Sequence, residues 1–164
     1  VIHGNALRRA APGIITRNRL GQPGLWRFGI SGDLPIVLVR IGDVNYARHL
    51  GHDALVTLLH EARIGFLRAF GFEEWDVEGR QTVVVDLAVR YRSESFAGDL
   101  LAIEVSAGEV ASRRAELLYR VVAVDDGRVV AVAMTGLMFV EPTTGHVGEL
   151  PPRLRDLLVG RVEV

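Results

Sequence analysis

One apolar stripe at helical spacing, followed by a run of β-type segments, constrains this chain more than any other feature. Leu55, Leu58, Leu59, Ala62, Phe66 and Phe70 recur as one face of a helix, which predicts a helix from about Asp53 to Phe70. Asp53 suits an N-cap and Gly71 a C-terminal stop, so both ends carry a signal. Upstream, Ile36 to Ile41 reads as a strand ended by Gly42-Asp43. Downstream, Val83, Val85, Leu87, Val89 and Tyr91 alternate with Val84, Asp86, Ala88, Arg90 and Arg92, the pattern of a strand with one buried face. Residues 99–106 repeat that pattern weakly, and residues 115–124 and 129–140 are apolar on both faces, as central strands are. The Asp125-Asp126-Gly127-Arg128 step between the last two favours the positive φ angles of a tight hairpin. Residues 151–158 predict a short terminal helix. The order implies an α+β fold, an antiparallel sheet wrapped around one long central helix.

With 164 residues the chain has room for one domain and its core. Residues 1–34, rich in glycine and poor in periodicity, read as a loosely organised arm, and residues 35–164 as the domain. There is no cysteine, which excludes a thiolate nucleophile, a disulfide framework and thiolate metal ligands. Every basic residue is arginine, which excludes Schiff-base chemistry and a phosphate-binding lysine loop. A net charge of −1 gives no pull toward nucleic acid or anionic membrane, and no apolar run approaches the length of a span. A soluble, cytoplasmic domain is expected, with no nucleic-acid or membrane partner.

Residues 42–72, GDVNYARHLGHDALVTLLHEARIGFLRAFGF, resemble the signature of hot-dog-fold thioesterases related to 4-hydroxybenzoyl-CoA thioesterase. That family pairs an aspartate and a G-H-V-N-N-type turn with a helix carrying Glu-Ala-Arg. Asn45 stands where the family usually has the aspartate, His49 matches the histidine, Gly51 and His52 match the paired asparagines, and Glu61-Ala62-Arg63 matches the helix element. VRYRSESFAGDLLAIEV, residues 89–105, resembles the family's second and third strands, and the likeness runs from about residue 37 to 158. Residues 18–41 instead resemble a segment of cyclic β-1,2-glucan synthases and related glycoside phosphorylases. The carboxylate-bearing motif of their helical barrel is absent, so the arm is expected to be a fused or misjoined fragment without sugar chemistry of its own.

The hot-dog resemblance implies hydrolysis of an acyl- or aryl-CoA thioester, with no cofactor and no metal. Unpaired N–H groups at a helix start favour a developing oxyanion, and Gly51 lets a carbonyl approach them closely. The plainer reading is that Gly51 and Asp53 only turn and cap the chain. A carboxamide cannot be nucleophile or general base, so Asn45 is left to donate a hydrogen bond or hold a water. Some subgroups of the family carry Asn there, beside a His-Leu-Gly-Asn-Asp turn. The base is then Asp53, His52, His49 or Glu61; an ion pair with Arg63 is the plainer role for Glu61. His49 and His52 are three residues apart but lack a third ligand at fixed spacing, which argues against a metal site. Arg90 and Arg92, on the polar face of their strand, are the leading arginines for the phosphates of coenzyme A. Trp75 reads as a core residue or a border of the acyl tunnel, and His60 as a solvated or interface residue.

The resemblance also implies that two subunits pair edge to edge and share each active site, giving a homodimer or a homotetramer. Two rivals remain: a hot-dog protein that binds an acyl group or coenzyme A without turnover, and a carbohydrate-associated fragment.

Overall fold

The computed structural model describes residues 36–160; the N-terminal arm, including Trp26, lies outside them. The apolar stripe folds as helix α1, His52–Ala69, and buries Leu55, Leu58, Leu59, Ala62, Phe66 and Leu67. Burying a side chain such as Phe66 contributes about 2–3 kcal/mol. The N-cap is Gly51 rather than Asp53: Gly51 is extended at φ −67° and ψ 149°, and its carbonyl accepts the N–H of Leu55. The preceding turn fixes that start, and Asp53 falls inside the first turn, where a carboxylate still complements the helix dipole. The far end closes as expected at Gly71, whose φ of +77° only glycine adopts freely. Gly71 N–H reaches Arg68 O and Phe72 N–H reaches Leu67 O, a Schellman closure with Phe72 packed into the core.

The sheet comprises β1 (Ile36–Leu38), β2 (Gln81–Tyr91), β3 (Leu100–Val110), β4 (Arg114–Ala123) and β5 (Val129–Val140). Its order is β1-β3-β4-β5-β2, with every pairing antiparallel. A second helix, α2 (Pro152–Leu158), follows β5 and inserts Leu154, Leu157 and Leu158 into the core. Segments 115–124 and 129–140 form β4 and β5, interior strands together with β3, but β4 is apolar on one face only, its other face carrying Glu116 and Arg120. Leu101, Ile103 and Val105 of β3, Leu117, Tyr119 and Val121 of β4, and Phe139 of β5 join the helix stripe in one core.

Three local expectations are corrected. First, β1 stops at Leu38 instead of reaching Ile41. The Asp43 carboxylate accepts the Arg40 N–H, and Asp43 N–H bonds Arg40 O, which draws residues 41–43 into a 3-10 turn. Second, the β4–β5 connection is a longer turn in which Gly127 alone has a positive φ; Asp126 accepts from Arg128 on the way out. Third, β2 carries a bulge between Val84 and Asp86. Val84 pairs with Leu137, Leu87 with Thr135 and Val89 with Ala133, so Val84 shares the helix-side face with Leu87, Val89 and Tyr91. Val83, opposite Met138, lies on the other face.

A polar cluster, buried at Arg63 and open to solvent at His60, underlies α1. Arg63, only 6% exposed, interrupts the apolar stripe and gives two hydrogen bonds, 3.0 and 2.6 Å, to one oxygen of Glu74. The other oxygen of Glu74 meets His60 Nε2 at 2.7 Å. Burial works to raise the Glu74 pKa, but the hydrogen bonds and charges of His60 and Arg63 outweigh it and hold it below its free value. Glu61 is exposed, and Arg63 pairs with Glu74 instead of Glu61. Trp75 is 62% exposed, so it is not the core residue its chemistry suggested.

Candidate active site

The segment before α1 is a tight loop closed by a bridge between Val44 and Leu50. Asn45 organises it. Its N–H donates to His49 O, its carbonyl accepts from Arg48, and its side-chain Oδ1 accepts the Ala47 N–H at 2.9 Å. That last bond orients the amide, so the NH₂ end points at His49 Nδ1, 3.3 Å away. An amide NH₂ only donates, which makes Nδ1 the acceptor and leaves the proton of neutral His49 on Nε2. Nδ1 also lies 3.5 Å from Leu50 O, which would ask it to donate; the shorter amide contact favours the acceptor role. Arg48 sits at φ +66°, the left-handed conformation that lets the loop return.

Two backbone bonds fix the loop to its surroundings: Leu50 N–H to Ser95 O at 2.7 Å and Gly51 N–H to Asp43 O at 2.8 Å. Ser95 is held in turn by Asp99, whose Oδ2 accepts from Ser95 Oγ, Phe96 N–H and Arg128 Nη2. The Phe96 N–H, with help from Ser95 and Arg128, outweighs partial burial and keeps the Asp99 pKa below its ordinary range. No side chain caps the start of α1, so no side-chain oxygen competes for the first-turn amides. A Cβ on Gly51 would lie 2.5 Å from Asp53 Oδ1, which marks how closely that carboxylate folds back over the cap.

Between this loop and the end of β2 lies a cavity of about 400 Å³, lined by Asn45, His49, His52, Leu55, Tyr91, Arg92, Ser93, Glu94, Ser95 and Val130. It brings together three of the five candidate catalytic residues, Asn45, His49 and His52, and one of the two candidate phosphate ligands, Arg92. Gly51 adjoins it as the helix cap. Asp53, exposed in the first turn, and Glu61, exposed two turns further on, do not line it. Arg90 lines a different groove, of about 560 Å³, across the sheet. Glu94 is the lining carboxylate that sequence reasoning missed. Its signal was the polar run Arg92-Ser93-Glu94-Ser95, where β2 gives way to a loop leading to Asp99.

The cavity therefore offers a floor of Leu55 and Val130, a donor at His49 Nε2, a guanidinium and one carboxylate. Such a set can polarise a carbonyl, place a water and receive an anionic group. Among the described residues no cluster of three His, Asp or Glu side chains is placed to hold a metal ion. Among them, too, no helix is long and apolar enough to cross a membrane.

Residues 39–158 match the family model of the thioesterase-like superfamily. A Synechocystis sp. protein whose name carries a provisional esterase assignment is 27% identical over 127 residues, covering 76% of each chain. The crystal structure of a 1,4-dihydroxy-2-naphthoyl-CoA thioesterase from Synechocystis superposes with a TM-score of 0.68 at 15% identity, covering 75% of this chain and 92% of that one. A DHNA-CoA thioesterase from Staphylococcus aureus gives 0.67 at 19% identity, covering 76% and 84%. At these identities the superpositions establish a shared hot-dog fold. The family match begins at residue 39, and the resemblance of residues 18–41 to glucan synthases is not shown by it.

Proposed function

The chain belongs to the thioesterase-like superfamily, and from that premise we propose that it hydrolyses an acyl- or aryl-CoA thioester to the free acid and coenzyme A. The observation that carries the reading is the cavity at the start of α1. A helix end without a side-chain cap lies beside a histidine whose Nδ1 is within reach of the Asn45 amide and an arginine at the strand end. In this reading the thioester carbonyl oxygen takes hydrogen bonds from the first-turn amides and from His49 Nε2. A water attacks the carbonyl carbon as a base takes its proton. Collapse of the adduct breaks the C–S bond, and the departing thiolate is protonated to the thiol of coenzyme A. Arg92 receives phosphate oxygens of the nucleotide portion.

His49 Nδ1 is engaged by Asn45, which suits His49 to donation and leaves proton removal to another group. Glu94 and His52 line the cavity and are the first choices. Asp53 and Glu61 serve if a second subunit brings its substrate-bearing surface against the exposed side of α1. That second subunit is part of the proposal: β2 is an edge strand, with Val83, Val84, Val85 and Leu87 all about two-fifths exposed. Pairing two such edges antiparallel would satisfy their free backbone groups and cover these side chains, giving a homodimer that can assemble further into a homotetramer.

The test is thiol release from a panel of acyl- and aryl-CoA esters, followed with a thiol reagent. Turnover on at least one ester class is expected, with removal of the base lowering it about a hundredfold. Saturable binding of these esters with no thiol released would replace this reading with that of a non-catalytic acyl- or CoA-binding protein. Asn45, standing where a carboxylate is usual, favours that second reading.

A further inference from the structure

Trp75 is a large aromatic that the cavity at the start of α1 does not use. It stands 62% exposed in the loop between α1 and β2. That loop is tied down on every side. Its Glu74 carboxylate holds His60 and Arg63 of α1, Val77 is fully buried, and Gly79 N–H donates to Asp76 Oδ1 at 2.8 Å. Glu78 accepts the N–H groups of Arg153 and Leu154 at the start of α2. A loop fixed so firmly, yet presenting an indole to water, forgoes the free energy of burying that ring unless something covers it.

The loop stands on the free edge of β2. Thr82 pairs with Phe139 of β5, but the Phe139 carbonyl turns away to accept the Gly148 N–H. The pair therefore exchanges no bond, and the Thr82 N–H points out of the sheet, where Glu74 O takes it at 3.0 Å. Among the described residues this leaves β2 open from Val83 to Tyr91, with Leu87 at the midpoint. Two copies that pair these open stretches antiparallel share a two-fold axis at Leu87, normal to the sheet, with both α1 helices on the same side. Val83 then meets Tyr91 of the second copy, and the loop carrying Trp75 meets Arg92 of the second copy. Within one copy Thr82 and Arg92 are ten residues apart, about 33 Å, so Trp75 does not reach its own cavity. Across the axis the paired positions are separated by one strand spacing, about 4.8 Å.

We propose that Trp75 of each copy closes the other copy's cavity at the start of α1 and stacks on a flat ring of the bound ester. The proposal rests on the edge pairing and the CoA-ester reading given above, and it assigns a binding residue to them. Tyr91, half exposed and lining the cavity beside Arg92, supplies a second ring. An indole and a phenol at one mouth suit a planar group. A CoA ester carries such a group as its adenine and, in aryl esters, as its acyl group too.

Two readouts test this, and neither needs thiol release. The protein has no cysteine, so a chain carrying both Trp75→Cys and Arg92→Cys has two thiols. A short bis-maleimide, unable to bridge their separation within one copy, is expected to give covalent dimers. Either substitution alone is expected to give none, because equivalent positions lie a whole strand length apart across the axis. With Trp26→Phe, Trp75 is the remaining indole. Its fluorescence is expected to fall on adding coenzyme A if adenine is the ring, and on adding S-benzoyl-pantetheine if the acyl group is. Trp75→Ala is expected to weaken binding of the quenching probe about fivefold or more, and Trp75→Phe to keep it within about twofold. Absence of covalent dimers from the double variant, fluorescence unmoved by both probes, or unchanged binding in Trp75→Ala overturns the proposal. If Trp75→Ala fails to fold, the cross-link and the fluorescence decide. A chain that binds esters without turnover ends the hydrolase reading and leaves this contact standing, whereas a hydrolase whose thiols never link ends this contact alone.

Discussion

Asn45 is the residue on which the site turns. Its amide holds the Nδ1 lone pair of His49, and the Ala47 N–H fixes which end of the amide does so. Replacing it with aspartate reverses the polarity of that contact, because a carboxylate accepts where the amide donated. The proton of His49 then belongs on Nδ1. Asn45→Asp is expected to move the ring proton of neutral His49 from Nε2 to Nδ1, measurable by NMR of the imidazole nitrogens. Thiol release then identifies the role of His49: a donor at Nε2 loses activity when its tautomer changes, whereas a base gains. Asn45→Ala is expected to lower kcat about tenfold by freeing the ring. Arg92→Ala is expected to raise KM for CoA esters several-fold, with little change on a truncated thioester lacking the nucleotide, since its proposed contact is to phosphate. Much of this was open to sequence reading, for Asn45, His49, His52 and Arg92 lie within short, recognisable segments. Glu94 was not. The polar run at residues 92–95 marks the strand end but not the loop some fifty residues earlier that it faces, and the Leu50–Ser95 backbone bond brings the two together.

At the level of elements, α1 was the most legible because its stripe, its C-terminal glycine and its length all agree. The start was misread by two residues: Asp53 has the chemistry of a cap, but the loop geometry had already assigned that place to Gly51. The bulge in β2 was invisible for a related reason. Val83, Val84 and Val85 are interchangeable in hydrophobicity, so a reversal of facing among them leaves no trace in the alternation. Arg63 also escaped notice as a buried charge, since its partner Glu74 lies beyond the helix end. That pair makes a stability prediction. Glu74→Gln leaves a buried guanidinium without its counter-charge and is expected to cost about 3 kcal/mol, read from denaturant unfolding. The pH dependence follows from the lowered Glu74 pKa. The contribution is fully present above the free carboxylate value of 4.5 and is lost as pH falls through the lower folded value. Wild type should therefore lose more stability than Glu74→Gln between about pH 5 and pH 3.

For the whole molecule, the described residues leave a strand edge with exposed valines uncovered. The edge is read as the place for a second copy of the chain, and dilution should expose it. If catalysis depends on the edge partner, specific activity is expected to fall as protein concentration drops below the dissociation constant of that dimer. Fold class was open to sequence reading because it follows from element order. Assembly was not, because it depends on which strand the topology leaves outermost. One carboxylate, finally, ties distant parts of the molecule together. Asp99 grips Arg128, which belongs to the turn between β4 and β5, and through Ser95 it grips the strap on which Leu50 rests. The bend at residues 124–128 is thereby a remote adjuster of the loop that precedes α1. Exchanging that bend for a shorter one is expected to lower the proposed thiol release while leaving every side chain that lines the cavity in its original chemical form.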